Sequence, residues 1–448
     1  MRFDGIRGRP EVWLDMVRRV MGVPRYSSGG MLSGKYLFTG SFRLSRPLIR
    51  ALFSEQSLAH HQKCELQAMK SLFLLMILVV SGVFAGLQSY GQLLDLRTSY
   101  ISAPVKINGK ATLYYELWVT NHTADTIQLN SLTVLDDKDS LPRFIAKDAE
   151  LSKRLGSRGV SQRRQPAGNL LPGDTTVIYI EFSMPNDKVS ATLFNRLNFT
   201  IIGSADHKQE QFIQGAPVSL SGLTEITLGN PLKGGPWCAV YEPSWETGHR
   251  RKIYTVGGKA RIPGRFAIDF MKLDEDGKYA SGNEDSIGRW FGYGADVLAV
   301  ADGTIVATKD SFPESPTLSG HPKYSSEKAT GNYICLAISE NEFVFYEHLK
   351  PGSVRVAPGQ SVKRGETIAS LGFTGQTTGP HLHLHVADND SPLGSEGIPF
   401  VFENFDLLGA YNNFDDFGKS PWTPLSDKYA KKRKKERPPP NSIIKFQH

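Results

Sequence analysis

The run Gly-Pro-His-Leu-His-Leu-His-Val, from Gly379 to Val386, constrains the local fold more strongly than any other segment of the chain. In a β-strand alternate side chains share a face, so the three imidazoles would form one row while the leucines point into a core. Imidazole is the commonest protein metal ligand and a general base near neutral pH. The pattern therefore predicts a strand that carries a metal site; a solvated face of an amphipathic strand is the alternative.

The charge of the chain is unevenly distributed. The formal net charge is +7, but residues 1–68 carry eleven Lys and Arg against five Asp and Glu, and Lys70 supplies the remaining unit. The chain after Lys70 is neutral overall, so the sequence indicates no broad basic surface. We therefore expect no nucleic-acid partner.

An uncharged run, 72–87, follows Met69-Lys-Ser and has the length of a secretory hydrophobic region. Small residues near Gly91 suit cleavage by a signal peptidase. We therefore expect residues 69–91 to be a signal peptide, translation to start at Met69, and residues 1–68 to be an upstream leader. The mature protein would be exported to the periplasm, the cell envelope or the extracellular space without a membrane span. A cytoplasmic region ahead of a short membrane anchor is the alternative.

Cysteine usage agrees with export but predicts no disulfide framework. Cys64 lies in the leader, which leaves Cys238 and Cys335 in the mature chain. Two cysteines at this separation form neither a dense disulfide scaffold nor a zinc-finger spacing. We expect both to be buried thiols.

Residues 92–224 show the pattern of short strands separated by turns. Aromatic and β-branched residues dominate Leu113–Thr120, and Thr176–Met184 follows the turn Leu171-Pro-Gly-Asp. Regular turn signals between short strands favour an antiparallel sandwich of immunoglobulin-like type. Its expected role is spacing or binding, because catalytic residue types do not cluster here.

The remaining chain divides into a connector (225–260), a second strand-rich domain (261–409) and a tail (410–448). Glycine-bounded turns precede short β-branched strands at 294–306 and 356–368, as in small β-barrels and sandwiches. The tail contains the basic run Lys-Lys-Arg-Lys-Lys, a composition that is usually solvated and disordered. We therefore predict an all-β protein.

Five segments of the second domain resemble the lysostaphin-like (LytM-type) zinc metalloendopeptidases, which cut peptide cross-links in bacterial peptidoglycan. They follow the order of that family over about 120 residues, and the last of them is the most specific. The segments are Arg265–Asp269, Gly294–Val306, Phe345–Leu349, Pro358–Gly365 and Gly372–His383. The resemblance implies a lysostaphin-like antiparallel β peptidase domain.

The resemblance also implies roles for individual residues. In that family a His, an Asp four residues later and the second His of a His-x-His pair hold zinc, which implies Asp269 and His383 as ligands. The first His of the pair and a His in a Tyr-x-His-Leu setting assist catalysis, which implies His381 and His348. Zn²⁺ would polarise the scissile carbonyl and activate water. His381 would accept the proton of that water, and His348 would stabilise the oxyanion or protonate the leaving amine.

One position departs from the family pattern, because Arg265 stands where the first ligand His is expected. A guanidinium offers no acceptor atom, and catalytic zinc normally has three protein ligands. Two residues are candidates for the third ligand: His385, on the strand face of His383, and His249, sixteen residues before Arg265. The sequence favours His385, since its position requires no loop geometry. A supporting role for His385 and an ordinary loop position for His249 remain open.

Two functions follow from these observations. The first is an exported zinc endopeptidase that acts on peptidoglycan peptides or on an extracellular protein. The second is a degenerate, non-catalytic module that binds peptidoglycan or regulates another cell-wall hydrolase. Arg265 favours the second function, whereas the intact His348, His381 and His383 favour the first.

Overall fold

The structure, a computed structural model, describes most of the chain beyond the predicted signal peptide. The described residues are 93–157, 168–184, 191–203, 208–426 and 431–447. The predicted leader and signal peptide therefore lie outside them. Within these ranges, no helix has both the length and the apolar character needed to span a membrane.

The N-terminal part consists of two antiparallel sheets packed face to face. Its elements are β1 (Leu94–Ile101), β2 (Val105–Ile107), β3 (Lys110–Asn121), β4 (Thr126–Asp136), β5 (Pro142–Lys147), α1 (Asp148–Arg154), β6 (Leu155–Ser157), β7 (Asn169–Leu170), β8 (Thr175–Ser183), β9 (Thr192–Ile202) and β10 (Lys208–Ser219). One sheet has the order β1-β3-β8-β6, with β2 beside β3. The other has the order β10-β9-β4-β5, with β7 beside β4.

The two sheets share an apolar core. It includes Leu117, Leu132, Ile178 and Leu197, which are fully buried. Leu132 and Leu197 alternate with polar residues along β4 and β9, the pattern of a sheet with one face against a core, and we call this region the N-terminal sandwich. The prediction of an all-β fold is confirmed, while the immunoglobulin-like assignment stays a prediction.

One large, mostly antiparallel sheet dominates the rest of the chain. Its part of the structure contains β11 (Ile226–Leu228), β12 (Gly234–Val240), β13 (Tyr254–Val256), β14 (Lys259–Arg261), β15 (Ile268–Lys272), β16 (Asp296–Leu298), β17 (Gly303–Lys309), β18 (Tyr333–Ser339), β19 (Glu342–Glu347), β20 (Ser361–Val362), β21 (Thr367–Ser370), β22 (Leu382–Ala387), β23 (Gly397–Ile398), β24 (Phe400–Ala410), β25 (Thr423–Pro424), β26 (Lys432–Glu436) and β27 (Ser442–Phe446). The main path of the sheet is β11-β24-β27-β12-β15-β22-β19-β18-β17-β20. Short 3-10 helices lie at His249–Arg251, Pro263–Phe266, Ile287–Arg289, Ser326–Lys328 and Phe414–Asp416.

The predicted connector and tail both contribute strands to this sheet. β12 comes from the connector and lies between β15 and β27, the last strand of the tail. The expectation of disorder for the basic run is wrong for Lys432–Glu436, which pairs with β24. Ile444 and Phe446 of the following strand are fully buried, and burial of that apolar surface offsets the entropy of ordering the tail.

Strand β22 shows the alternation that the sequence predicts. Leu382 and Leu384 are fully buried in the core of the large sheet. The imidazoles of His381, His383 and His385 on the opposite face are also buried, so the alternative of a solvated face is wrong. β22 lies between β15 and β19, which places its histidines at the centre of the sheet.

The two cysteines of the described chain are free and buried, as predicted. Cys238 lies on β12 and Cys335 on β18, and both are completely inaccessible to solvent. Burial raises the pKa of Cys335 to about 12. Both residues therefore act as small apolar side chains.

Candidate active site

The first two site residues come from neighbouring strands. Asp269 on β15 lies directly opposite His383 on β22. Opposite residues of an antiparallel pair project from the same face, and Asp269 Oδ1 lies 2.8 Å from His383 Nδ1. The fully buried Ile268 and Phe270 on either side of Asp269 anchor the strand in the core. The structure thus brings the two predicted ligands together.

His249 joins this pair from the short 3-10 helix His249–Arg251, which precedes β13. Its Nε2 atom lies 2.9 Å from Asp269 Oδ2, and its ring centroid lies 4.6 Å from that of His383. The potential ligand atoms of His249, Asp269 and His383 all lie within 4.8 Å of one another. A Cβ atom at Gly264 would lie 2.9 Å from His249 Cβ, so this packing requires glycine at that position.

His385 contacts His383 but is grouped with a different carboxylate. Its Nδ1 atom lies 3.2 Å from His383 Nε2 and 3.9 Å from Glu347 Oε1. Glu347, His383 and His385 form a second set of potential ligand atoms within 4.8 Å. Burial lowers the pKa of His385 well below its usual range and raises that of Glu347 to about 8. That His385 binds metal stays a prediction, whereas the arrangement around Asp269 favours His249.

The two predicted catalytic histidines flank the ligand group. His381 Nε2 lies 3.4 Å from Asp269 Oδ1, and the ring centroids of His348 and His381 are 4.7 Å apart. The Nδ1 atom of His381 lies 2.8 Å from the Gly379 carbonyl, and that of His348 lies 2.7 Å from the Thr374 carbonyl. A carbonyl only accepts, so each Nδ1 carries a proton and each neutral ring has its lone pair on Nε2.

His348 also has an unusual backbone conformation. Its φ angle is 63°, in the left-handed region that non-glycine residues seldom adopt. The His348 amide donates to the Thr330 carbonyl, and its own carbonyl accepts from the Gly372 amide. Such strain persists only where the surroundings impose it, and it is commonest at functional sites.

Burial and neighbouring charges separate the pKa values of the site residues. Burial by itself would raise the pKa of Asp269. The electrostatic and hydrogen-bond interactions with His249 and His381 outweigh burial, so the pKa of Asp269 lies well below its usual range. Burial lowers the pKa of His383 to about 4 and that of His348 well below its usual value. Burial also lowers the pKa of His381, but the Asp269 carboxylate outweighs it and the net shift is upward. A single carboxylate and several neutral imidazoles suit the binding of a divalent cation.

Arg265, which stands at the position of the expected ligand, makes its contacts elsewhere. Its side chain is completely buried. Arg265 Nε donates to Glu116 Oε2 and Nη2 to Glu396 Oε2, both at 2.7 Å, and Nη1 donates to the Gly397 carbonyl at 2.9 Å. Two carboxylates therefore neutralise the guanidinium, and these hydrogen bonds direct it away from the ligand group.

A cleft opens beside the site. It has a volume of about 790 Å³, and its lining includes His249, His348, His383, His385 and Glu347. The side chain of His249 is 37% exposed, whereas that of Asp269 is 16% exposed. The ligand group is therefore accessible from the cleft.

Sequence reasoning missed three glutamates that support the site. Glu116 and Glu396 bind Arg265, and Glu347 lies beside His385. Of the three, only Glu347 could have been noticed in the sequence, because it directly precedes the candidate catalytic residue His348. Glu116 is 149 residues from Arg265, so no local pattern could have connected them.

Comparisons with known proteins add to these observations. Residues 291–394 match the family model of Peptidase family M23. The chain is 37% identical over 183 residues to the peptidoglycan DD-endopeptidase ShyC of Vibrio cholerae serotype O1, which covers 40% of this chain and 38% of that protein. It is 34% identical over 100 residues to the peptidoglycan DD-endopeptidase ShyB of the same organism, which covers 22% of this chain and 19% of ShyB.

Among solved structures, the catalytic domain of lysostaphin from Staphylococcus simulans is similar at 20% identity. The similarity covers 37% of this chain and 88% of that domain, with a TM-score of 0.21, which by itself establishes no common fold. The family match includes His348, His381 and His383, while Asp269 and His249 precede it. Residues 291–394 of this chain therefore carry the sequence pattern of Peptidase family M23.

Proposed function

We propose that this protein is an exported, zinc-dependent endopeptidase that hydrolyses peptide cross-links of peptidoglycan. The observation that carries the proposal is the convergence of His249, Asp269 and His383 at an accessible cleft. The match to peptidase family M23 supports the reaction class. The named activities of ShyC and ShyB support peptidoglycan as the substrate, although the matched stretches cover well under half of each relative.

The residues present fit a zinc ion. Two imidazoles and one carboxylate are ligand types that hold catalytic zinc and leave a further position open. His381 Nε2 is buried, and its 3.4 Å contact with Asp269 Oδ1 lacks the alignment of a hydrogen bond, so this nitrogen has unused bonding capacity at the site. We propose His249, Asp269 and His383 as the ligands. A bound zinc ion supplies Lewis-acid polarisation of the scissile carbonyl.

His385 has a supporting role in this proposal. A histidine that binds a metal through one nitrogen usually donates from the other to a neighbouring acceptor, which fixes the ring. His383 Nε2 lies 3.2 Å from His385 Nδ1, which provides such a partner. His385 therefore orients His383.

His381 suits the role of general base. Its Nδ1–H group donates to the Gly379 carbonyl, so the Nε2 lone pair faces the reaction site. The Asp269 carboxylate, which raises the pKa of His381 against the effect of burial, stabilises the imidazolium formed when Nε2 takes up a proton.

His348 is neutral at physiological pH because burial lowers its pKa. In that state the Nε2 atom of His348 can accept a hydrogen bond but cannot donate one, since the single ring proton lies on Nδ1 and is donated to the Thr374 carbonyl. His348 can donate to an oxyanion or to the leaving amine only after Nε2 gains a proton. We therefore propose that His348 orients the attacking water by accepting a hydrogen bond at Nε2, while His381 takes the water proton and returns it to the leaving amine.

The proposal is tested with protein that begins at Gln92. We expect about one zinc ion per chain by elemental analysis, and new free termini after digestion of purified cross-linked peptidoglycan, detected by mass spectrometry. Tight binding to sacculi with neither zinc nor cleavage would instead support the degenerate binding module. Arg265 favours that alternative only if no other residue supplies the missing ligand, and we propose that His249 supplies it.

Export is a separate part of the proposal. It rests on the uncharged run 72–87, which lies outside the described residues. Expression of the full chain in a bacterium, followed by N-terminal sequencing of the envelope fraction, should yield a terminus near Gln92. A product retained in the cytosol with residues 69–91 intact would refute it.

A further inference from the structure

A cluster of buried charges connects the N-terminal sandwich to the segments around His249. Glu116 lies on β3 of the sandwich and is completely buried. Its Oε1 atom accepts a hydrogen bond from Arg250 Nε at 2.9 Å, and its Oε2 atom accepts one from Arg265 Nε at 2.7 Å. Arg250 follows His249 in the chain, and Arg265 follows Gly264, which packs against His249. One carboxylate of the sandwich thus binds both segments that place the proposed ligand.

Arg250 is held by further groups of the sandwich. Its Nη1 atom donates to Glu181 Oε2 at 2.5 Å, and its Nη2 atom donates to the carbonyls of Tyr115 and Ile180 at 2.9 and 2.8 Å. These acceptors lie on the neighbouring strands β3 and β8. A guanidinium is rigid and planar, so acceptors around its edge define its position and orientation. The backbone of the adjacent His249 is therefore fixed relative to the sandwich.

The next residue strengthens the same attachment. Arg251 donates to the backbone carbonyls of Leu155 and Lys153 at 3.3 and 3.0 Å. Its guanidinium carbon lies 4.0 Å from the centre of the Tyr179 ring. His249, Arg250 and Arg251 therefore connect the sandwich to Asp269 and His383. The two arginines are the anchors, and His249 is the proposed ligand.

His249 needs this support more than the other proposed ligands do. Asp269 and His383 lie on central strands of the large sheet, where ladder hydrogen bonds on both sides hold the backbone. His249 lies in a single-turn 3-10 helix, His249–Arg251, outside the sheet. Its position therefore depends on contacts made by its neighbours.

We propose that the N-terminal sandwich is a structural part of the metal centre, with Glu116 as a positioning residue that acts through Arg250 and Arg265. This inference rests on the proposed function, because it takes His249 as a zinc ligand. It also gives a reason for the arginine at position 265. Arg265 anchors the segment that contains Gly264, and His249, the proposed third ligand, packs against that glycine.

The test uses the full chain with Glu116→Gln, which preserves size but removes the charge. We expect zinc affinity, measured by competition with a chromophoric chelator, to fall about 10- to 100-fold, as when other residues that orient metal ligands are changed. The visible spectrum of the Co²⁺-substituted protein should lose the intensity of a tetrahedral site. Without added metal, amide hydrogen exchange at 247–251 should accelerate.

A matched control separates positioning from general stability. Asp136 is a buried carboxylate in the other sheet of the sandwich, and it accepts hydrogen bonds from Arg143 Nε at 3.0 Å and Arg143 Nη2 at 2.9 Å. Asp136→Asn makes the same chemical change without contact to Arg250 or Arg265. It should leave zinc affinity and the Co²⁺ spectrum unchanged. If Glu116→Gln fails to fold, Arg250→Lys, which keeps the charge but not the forked donors, carries the same expectation.

The outcomes distinguish this inference from the proposed function. A folded Glu116→Gln protein with the zinc affinity and Co²⁺ spectrum of the parent would overturn the inference, as would an equal loss of affinity in Asp136→Asn. A parent that binds zinc but cuts no peptidoglycan would overturn the proposed activity alone, and a lower affinity in Glu116→Gln would still support the inference. A parent that binds no zinc would overturn both.

Discussion

His249 Nε2 lies 2.9 Å from Asp269 Oδ2, although twenty residues separate them and neither belongs to the matched family segment. The contact brings an imidazole to Asp269, although Arg265 stands at the position where the resemblance implies a histidine. A ligand set that is one histidine short by sequence spacing can be completed by a residue elsewhere in the chain, and we propose that His249 does so here.

Removal of His249 should abolish tight zinc binding. We expect His249→Ala to lower zinc affinity by more than about 100-fold, because it removes a ligand, whereas His385→Ala should cost about 10-fold, because it removes only a supporting hydrogen bond. Chelator competition measures both. His122→Ala, at an exposed loop of the sandwich, is the control. A larger loss in His385→Ala than in His249→Ala would identify His385 as the ligand.

Packing against His249 can be tested without removing a side chain. A Cβ atom at Gly264 would lie 2.9 Å from His249 Cβ, so Gly264→Ala should displace the histidine and weaken zinc binding. Gly288 also lies in a short 3-10 helix, and a Cβ atom there would meet nothing within 4 Å. Gly288→Ala should therefore be neutral in the same titration. Equal affinities of the two variants would show that His249 can shift freely.

Arg265→His should not restore a conventional site. The substitution removes the buried cation that Glu116 and Glu396 share and leaves them only Arg250 and Arg261 respectively; loss of one partner of a buried ion pair typically costs about 3–5 kcal/mol of folding free energy. Urea denaturation should show this loss, while Arg97→His, at an exposed ion pair with Asp95, should change stability by less than about 1 kcal/mol. A stable Arg265→His protein with tighter zinc binding and higher activity would indicate that the parent is degenerate.

The two histidines proposed as catalytic, His381 and His348, should affect turnover more than metal binding. We expect His381→Ala and His348→Ala to lower kcat on cross-linked peptide by about 10²- to 10⁴-fold, the usual contribution of general acid–base groups. Zinc content should stay close to that of the parent, because His249, Asp269 and His383 are unchanged. Loss of zinc in parallel with activity would reassign these residues as ligands.

Glu347 should make stability depend on pH. Burial raises its pKa to about 8 from a reference value of 4.5, so between these values the folded protein retains a proton that the unfolded chain has released. The free energy of unfolding should therefore fall as pH rises from about 4.5 to about 8, by up to about 1.4 kcal/mol per unit. Glu347→Gln should remove this slope and be the more stable protein near pH 8. Urea denaturation in chelator provides the measurement, and parallel pH profiles would contradict the prediction.

Part of this site was predictable because its signals are local. The two-residue alternation of Leu382 to His385 predicts both the strand and its two faces, since successive side chains of a strand project in opposite directions. The spacing of His381, His383 and His348 was likewise readable through resemblance to a family. By contrast, the basic run at 431–435 has a composition typical of disorder, and that composition says nothing of the apolar strand that follows it.

The all-β class, the histidine strand and the buried thiols follow from the sequence, because each depends on near neighbours along the chain. The position of His249 beside Asp269 and the contacts of Arg265 become visible only in the tertiary structure. His249 lies beside Asp269, and its neighbour Arg250 binds Glu116, 134 residues away. Contacts over such separations depend on how two sheets pack together, and no short pattern of residues encodes that packing.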